Sequence, residues 1–282
     1  MDNYFHAEHN SYKYVGQCIY CRSKDNLHDE HSIPESLNGL MILKKASCQN
    51  CGRITSRFEG DYARQSLLNV RTVWNMKSKR SKKKRPTEFP VRFIQEGRER
   101  TVNVPLEESF PLIPLVEIGP PGMFPNRPHK LGMKHGEYKI NPFKVRDGTH
   151  LKRLAEKYHA DDVGVDWQIN VVGFLRMIAK IAYCISVWRF GLNNIGEAYV
   201  IPAILGTKND IWDWVGSDGE QEVHELTKRL PSDHVVNVWF DGNAVIHGRV
   251  KLFKKSLTPE YDVIVGRLTD VAQGFYRSVG RL

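Results

Sequence analysis

Four cysteines in the pattern C-x2-C-x26-C-x2-C (Cys18, Cys21, Cys48, Cys51) bracket an acidic run that ends in a histidine, Asp29-Glu30-His31. Each Cys-x-x-Cys pair makes a tight knuckle that aims two thiolates at one ion, and two knuckles complete a tetrahedral Zn²⁺ shell. Four sulfurs close that shell and leave no open position for a substrate, so the zinc expected here is structural. The histidine suits different chemistry. An imidazole that titrates near neutrality can take a proton from water, and a carboxylate beside it is a hard oxygen ligand for Mg²⁺ or Mn²⁺. Glu30 is that carboxylate, on the strand face opposite His31. Asp29 should share His31's face and could orient its ring, and His28 lies in the same run.

The elements that must position these residues follow from the local pattern. Leu27 to Ile33 alternates well enough for a short strand, which Pro34 ends. Leu37-Asn38-Gly39 supplies a turn, with Asn38 favouring positive φ, and Leu40 to Ser47 returns as a second strand. After Cys51 the pattern turns helical, with Ile54, Phe58 and Tyr62 spaced four apart for the buried face. On the same helix Thr55 and Glu59 share a face that can look back toward Glu30 and His31, and Arg53 and Arg57 are candidates for phosphate contact. Strand, turn, strand, helix is a ββα unit, here clasped by two zinc knuckles.

With "CIYC", "DEHSIP", "LNG" and "ASCQNC" followed by a helix, residues 15–65 resemble the HNH nucleases of the ββα-metal group, in the zinc-knuckle branch. The basic "KRSKKKRP" and the tetrapeptide "KIAY" at Lys180 to Tyr183 add a weaker likeness. The resemblance implies a metal-dependent endonuclease that hydrolyses a phosphodiester, with His31 as general base and Glu30 as a ligand of catalytic Mg²⁺ or Mn²⁺. In that family a second ligand comes from the helix, often an Asn just after the last cysteine. Here that position is Gly52, which points to Glu59, or less directly Thr55, as the replacement. Activated water and positive charge beside the phosphorane are what such cleavage needs.

The charge pattern agrees with a polyanionic partner. Residues 71–85 hold eight Lys/Arg and no acid, so removing their +8 from the chain's +9 leaves +1 for everything else. Such a cluster (Lys79, Arg80, Lys82, Lys83, Lys84 and Arg85 at its centre) attracts nucleic acid, with DNA favoured through the resemblance. An apolar content of 41% argues against a wholly disordered chain. The polar, aromatic N-terminus does not fit a secretory signal, so a cytoplasmic setting is expected, in which the five cysteines do not suggest disulfides. No membrane partner is expected, because the longest apolar stretch, Val171 to Trp188, carries Arg176 and Lys180 and reads as a core helix. Those two cations share a face; either nucleic-acid contact or snorkelling at the core's edge would suit them. Cys184 reads as a small core residue, and Trp212 and Trp214 as packing.

The expected architecture is α+β. A zinc-stapled ββα module spans residues 1–76, with a loose lead-in over 1–14, and a basic linker spans 77–90. A larger α+β domain follows at 91–282, with a central helix from Asp166 to Phe190 and a small late antiparallel sheet. Residues 91–106 read as a hairpin, the Pro/Gly-rich stretch 110–145 as irregular, and Thr149 to Tyr158 as a short helix. A zinc-knuckle nucleic-acid-binding protein without cleavage, and an RNA-directed nuclease, are the alternative readings. Monomer and homodimer both stay open.

Overall fold

The computed structural model describes residues 4–5, 10–78, 84–144, 148–217, 234–253 and 258–278. The lead-in expected to be loose instead supplies two strands, β1 (Tyr4–Phe5) and β2 (Ser11–Tyr14). Neither is legible in a short window, because β1 finds its partner in a strand near residue 236 and β2 runs parallel to a strand beginning at Met41.

The expected ββα unit is present. Strands β3 (Leu27–His31) and β4 (Met41–Cys48) are antiparallel, and the small sheet runs β2-β4-β3. A single 3-10 turn, Glu35–Leu37, joins them, closed by Asn38 at φ 63°. Gly39 has no room for a side chain, since a Cβ there would lie 1.9 Å from the Ile33 carbonyl oxygen. Helix α1 (Gln49–Asp61) begins before Cys51 and so takes the second knuckle into its first turn. Its buried stripe is Cys51, Thr55 and Phe58, continued by Tyr62; Ile54, expected inside, is 37% exposed. A strict spacing of four drifts by about 40° per step around a 3.6-residue helix, and here the 51-55-58 series tracks the core. A π turn, Tyr62–Ser66, leads into α2 (Leu68–Val73).

Strands β5 (Glu88–Gln95) and β6 (Arg98–Pro105) form the expected hairpin around Glu96 and Gly97, both at positive φ. The stretch expected to be irregular contains a paired ribbon, β7 (Leu112–Ile118) with β8 (Tyr138–Lys144). Its prolines misled the local reading: Pro114 and Pro142 face each other, and an edge position on a two-stranded ribbon tolerates a missing N–H. Helix α3 (Gly148–Lys157) and strand β9 (Asp162–Gly164) complete a small satellite core around Phe93, Val104 and Leu154.

Helix α4 (Val171–Phe190) starts later than expected, where the Asn170 side chain accepts the Gly173 N–H at 2.9 Å, and Gly191 ends it. Strand β10 (Ile195–Glu197), helices α5 (Val200–Leu205) and α6 (Ile211–Trp214) and strand β11 (Val215–Ser217) follow. Strands β12 (Val235–Phe240), β13 (Val245–Lys251) and β14 (Glu260–Leu268) and helix α7 (Asp270–Ser278) close the described chain. The late sheet is larger than expected: six antiparallel strands in the order β1-β12-β13-β14-β10, with β11 also on β14.

Helix α4 lies against that sheet so closely that a Cβ on Gly248 would sit 2.7 Å from the Ala182 Cβ. Its other side meets α1. One continuous core therefore runs from Cys18, Leu43 and Phe58 through Phe174, Ile178 and Ala182 to Val238, Ile246 and Val263. Residues 1–76 share this core and do not enclose one of their own. Among the described residues α4 is long and apolar enough to cross a membrane, but it is mostly buried inside the protein, as a core helix is.

Candidate active site and metal centre

The four cysteines converge. Their sulfurs all lie within 4.8 Å of one another, with Cys21 Sγ 3.5 Å from Cys48 Sγ. At a Zn–S distance of about 2.3 Å, tetrahedral sulfurs sit about 3.8 Å apart, so the cluster fits a Zn²⁺ ion. Cys18, Cys48 and Cys51 are buried and Cys21 is exposed. Packed together the thiols do not titrate independently. Burial opposes ionisation of Cys48, yet hydrogen bonds from the Cys51 backbone N–H and the other sulfurs bring it down to about 7; burial and the Cys18 charge push Cys51 far up. A bound cation relieves this by favouring four thiolates. Cys184 stays apart in α4, with burial pushing its thiol up to about 12, as befits an inert core residue.

Glu30 and Glu59 also converge, and the group between them belongs to the protein. Lys180 Nζ lies 2.8 Å from Glu30 Oε1 and 2.8 Å from Glu59 Oε1, and it also donates to the carbonyl oxygens of His31 and Ser32. The Lys180 side chain is fully buried, against 7% exposure for the Glu30 side chain and 17% for Glu59. It neither snorkels nor faces solvent where nucleic acid could reach it. Burial alone would lower its ammonium's pKa, but the charges of Glu30 and then Glu59 more than offset this and hold it above the ordinary lysine value. Burial raises the Glu59 carboxyl; Lys180 opposes that rise and the Glu30 charge adds to it. The pair expected to hold Mg²⁺ or Mn²⁺, Glu30 by the resemblance and Glu59 as the replacement for its missing helix ligand, thus faces an ammonium, and a divalent ion does not fit between the same two oxygens while Lys180 holds them.

His31 ends β3 and is partly buried. Burial chiefly, with the Lys180 charge adding and Glu35 and Glu30 opposing, holds its imidazole below the usual 6.5. The ring is therefore neutral at pH 7 and able to accept a proton. Its Nδ1 is enclosed and has no hydrogen-bond partner.

The remaining expected residues divide. Asp29 does not orient His31. It sits at a register break where β3 passes from His28 opposite Ser47 to Glu30 opposite Leu43, and it accepts Lys44 Nζ at 2.7 Å and the Lys45 N–H at 3.1 Å. That irregularity interrupts the alternation on which the shared face with His31 was expected. His28 is exposed. The Thr55 hydroxyl is turned into its own helix, donating to the Gly52 carbonyl at 3.3 Å. Arg53 and Arg57 are exposed one turn apart on α1. Of the basic segment, Lys84 is exposed, while Arg85 donates to Asn75 Oδ1 at 2.7 Å and to the Met76 carbonyl. Lys79, Arg80, Lys82 and Lys83 lie outside the described residues. Trp212 and Trp214 stack on Tyr138 and Tyr199, in the packing roles expected of them.

Two residues of the C-terminal half, Tyr183 and His234, bind the module to the rest of the protein, while Arg71 ties together parts of the module itself; none of these roles is legible in the sequence. Tyr183 donates to the Ile19 carbonyl at 2.5 Å beside the first knuckle, one turn along α4 from Lys180. Buried His234 meets the Leu37 carbonyl at 2.7 Å through Nε2 and accepts the Phe253 N–H through Nδ1. Arg71 donates to the carbonyls of Ser36, Ala63 and Lys77. For Lys180 a signal existed: a cation amid fully apolar turns of a core helix needs a buried counter-charge. Nothing in the sequence says which one.

No family model matches this chain, and comparison with curated proteins and with solved structures gave no match either. The class that the fold defines is mixed α+β with small sheets and a four-cysteine cluster fit for a metal ion such as zinc.

Proposed function

We propose that the protein is an HNH-type endonuclease that hydrolyses phosphodiester bonds in DNA, with His31 as the general base. The observation that carries this reading is a neutral, partly buried imidazole at the end of β3, next to Glu30, in a ββα unit whose cysteines suit a structural zinc. Cys18, Cys21, Cys48 and Cys51 would hold that zinc, which keeps the knuckles closed and takes no part in the reaction.

In the proposed step His31 takes a proton from a water as the water's oxygen bonds to phosphorus. The bond from phosphorus to the leaving ester oxygen breaks, and that oxygen takes up a proton from solvent. Arg53 and Arg57, with the basic segment from Lys79 to Arg85, would hold the phosphate backbone. DNA is preferred to RNA through the resemblance.

Incubating the zinc-loaded protein with supercoiled plasmid, beside His31→Ala, tests this. Nicking or linearisation by the wild type that the variant loses is the expected result; cleavage that persists in the variant removes His31 from the reaction. A second reading is favoured by one observation, the ammonium lodged between the two carboxylates. On that reading the module binds DNA without cutting it, and the same assay shows salt-sensitive binding with intact plasmid.

A further inference from the structure

Helix α4 brings a lysine to a place that no part of the zinc module can supply. The Lys180 ammonium forms ion pairs at 2.8 Å with both Glu30 Oε1 and Glu59 Oε1, and it donates to the His31 carbonyl and, at 3.4 Å, to the Ser32 carbonyl. Its stem is fully enclosed in a helix buried nearly all round. Withdrawing the ammonium would leave two largely buried carboxylates against each other. A hard divalent ion requires those same oxygens at about 2.1 Å for Mg²⁺. It would also bring two positive charges against a third.

We infer that Lys180 is the resident cation of this site: it stands where a divalent ion bridging Glu30 and Glu59 would stand, so the carboxylate pair clasps the His31 strand end to α4 and does not bind metal. This deepens the proposed function, since it rests on reading Glu30 and Glu59 as the carboxylates beside the base. Lys180 acts as a positioning residue. It pins the two carbonyls at the end of β3, and with them the backbone that carries the His31 ring. The site is therefore complete only when the C-terminal part of the chain is folded onto the module.

The test reads metal binding, so it decides the inference even if the protein cleaves nothing. Mn²⁺ is titrated into the zinc-loaded full-length protein and its bound fraction is followed by electron paramagnetic resonance; Mn²⁺ prefers oxygen donors and leaves the thiolate cluster alone. The wild type and Glu59→Gln are expected to bind Mn²⁺ equally weakly. A wild-type site that Glu59→Gln abolishes overturns the inference. Lys180→Met, which keeps the stem and removes the charge, is expected to bind Mn²⁺ at least about tenfold more tightly than the wild type, with Glu30→Gln in the same background cancelling the gain. A folded Lys180→Met protein with no gain also overturns it. Should that variant fail to fold, the comparison of wild type with Glu59→Gln still decides.

Discussion

Lys180 Nζ and Glu59 Oε1 are 2.8 Å apart, one on the core helix of the C-terminal half and the other on the helix that follows the second zinc knuckle. Lys180 is fully enclosed and Glu59 only partly exposed, so each supports the other's charge, with Glu30 the stronger influence on the ammonium. The contact makes the N-terminal module and the large sheet parts of one structure, with α4 shared between them. It also converts a carboxylate pair that resembles a metal site into an ion-pair clasp.

Removing the ammonium leaves two buried carboxylates facing each other. Lys180→Met is expected to lower the unfolding free energy by about 3–5 kcal/mol, the range for breaking a buried pair from one side. Adding Glu30→Gln and Glu59→Gln should restore most of that loss, because the uncompensated charge goes with them. Urea denaturation of the three proteins checks it; equal stability of the single and triple variants contradicts the clasp.

The His31 imidazole is held below 6.5, chiefly by burial. Only its neutral form can act as a base, so cleavage should be flat above pH 6.5 and fall as pH drops through the depressed value. A group whose folded pKa is lowered binds fewer protons than it does unfolded, so the same residue also costs stability as pH falls below 6.5. A pH–rate profile with its acid limb above 6.5 would falsify the assignment. His31→Ala should reduce the rate about 10²- to 10⁴-fold.

One zinc per chain is expected by elemental analysis, bound by Cys18, Cys21, Cys48 and Cys51. Cys48→Ser should lose the metal and unfold the knuckles, since a structural zinc site supplies about 10 kcal/mol or more of folding free energy. Cys184→Ser should keep the metal, as its thiol lies outside the cluster. Zinc retained by Cys48→Ser would show that the cluster is not the site.

A fragment of residues 1–76 should not fold stably even with zinc. Its apolar side, including Leu43, Phe58 and Tyr62, packs into the core it shares with α4, and without α4 Glu30 and Glu59 lose their partner. Circular dichroism and amide exchange of the zinc-loaded fragment, against the full chain, measure this. A well-protected fragment would show that the module carries its own core.

Arg53→Ala combined with Arg57→Ala should weaken DNA binding across sequences. It should also lower the slope of log affinity against log salt by up to about 1.8, or about 0.9 for each phosphate no longer neutralised. An unchanged slope in fluorescence anisotropy would place both arginines away from the backbone.

Much of the module was legible in the sequence because its determinants are local. Cysteine spacing, Pro34 ending a strand, Asn38 at positive φ and a helical period after the second knuckle each act within a few residues. The helix and hairpins of the second half were readable for the same reason. Less legible were the features set by distant neighbours. The ribbon β7–β8 hid behind its prolines, and the lead-in strands take partners far along the chain. Asp29 was misplaced by a register break that only strand pairing creates.

By itself the sequence determined that four cysteines could meet and that Glu30 and His31 would stand at a strand end. Tertiary structure alone decided what the two glutamates face. Helical periodicity puts Lys180 on a turn of α4, but a buried charge is stable only where packing supplies its opposite. That supply comes from Glu30 and Glu59, brought within 2.8 Å by the packing of α1 and β3 against α4.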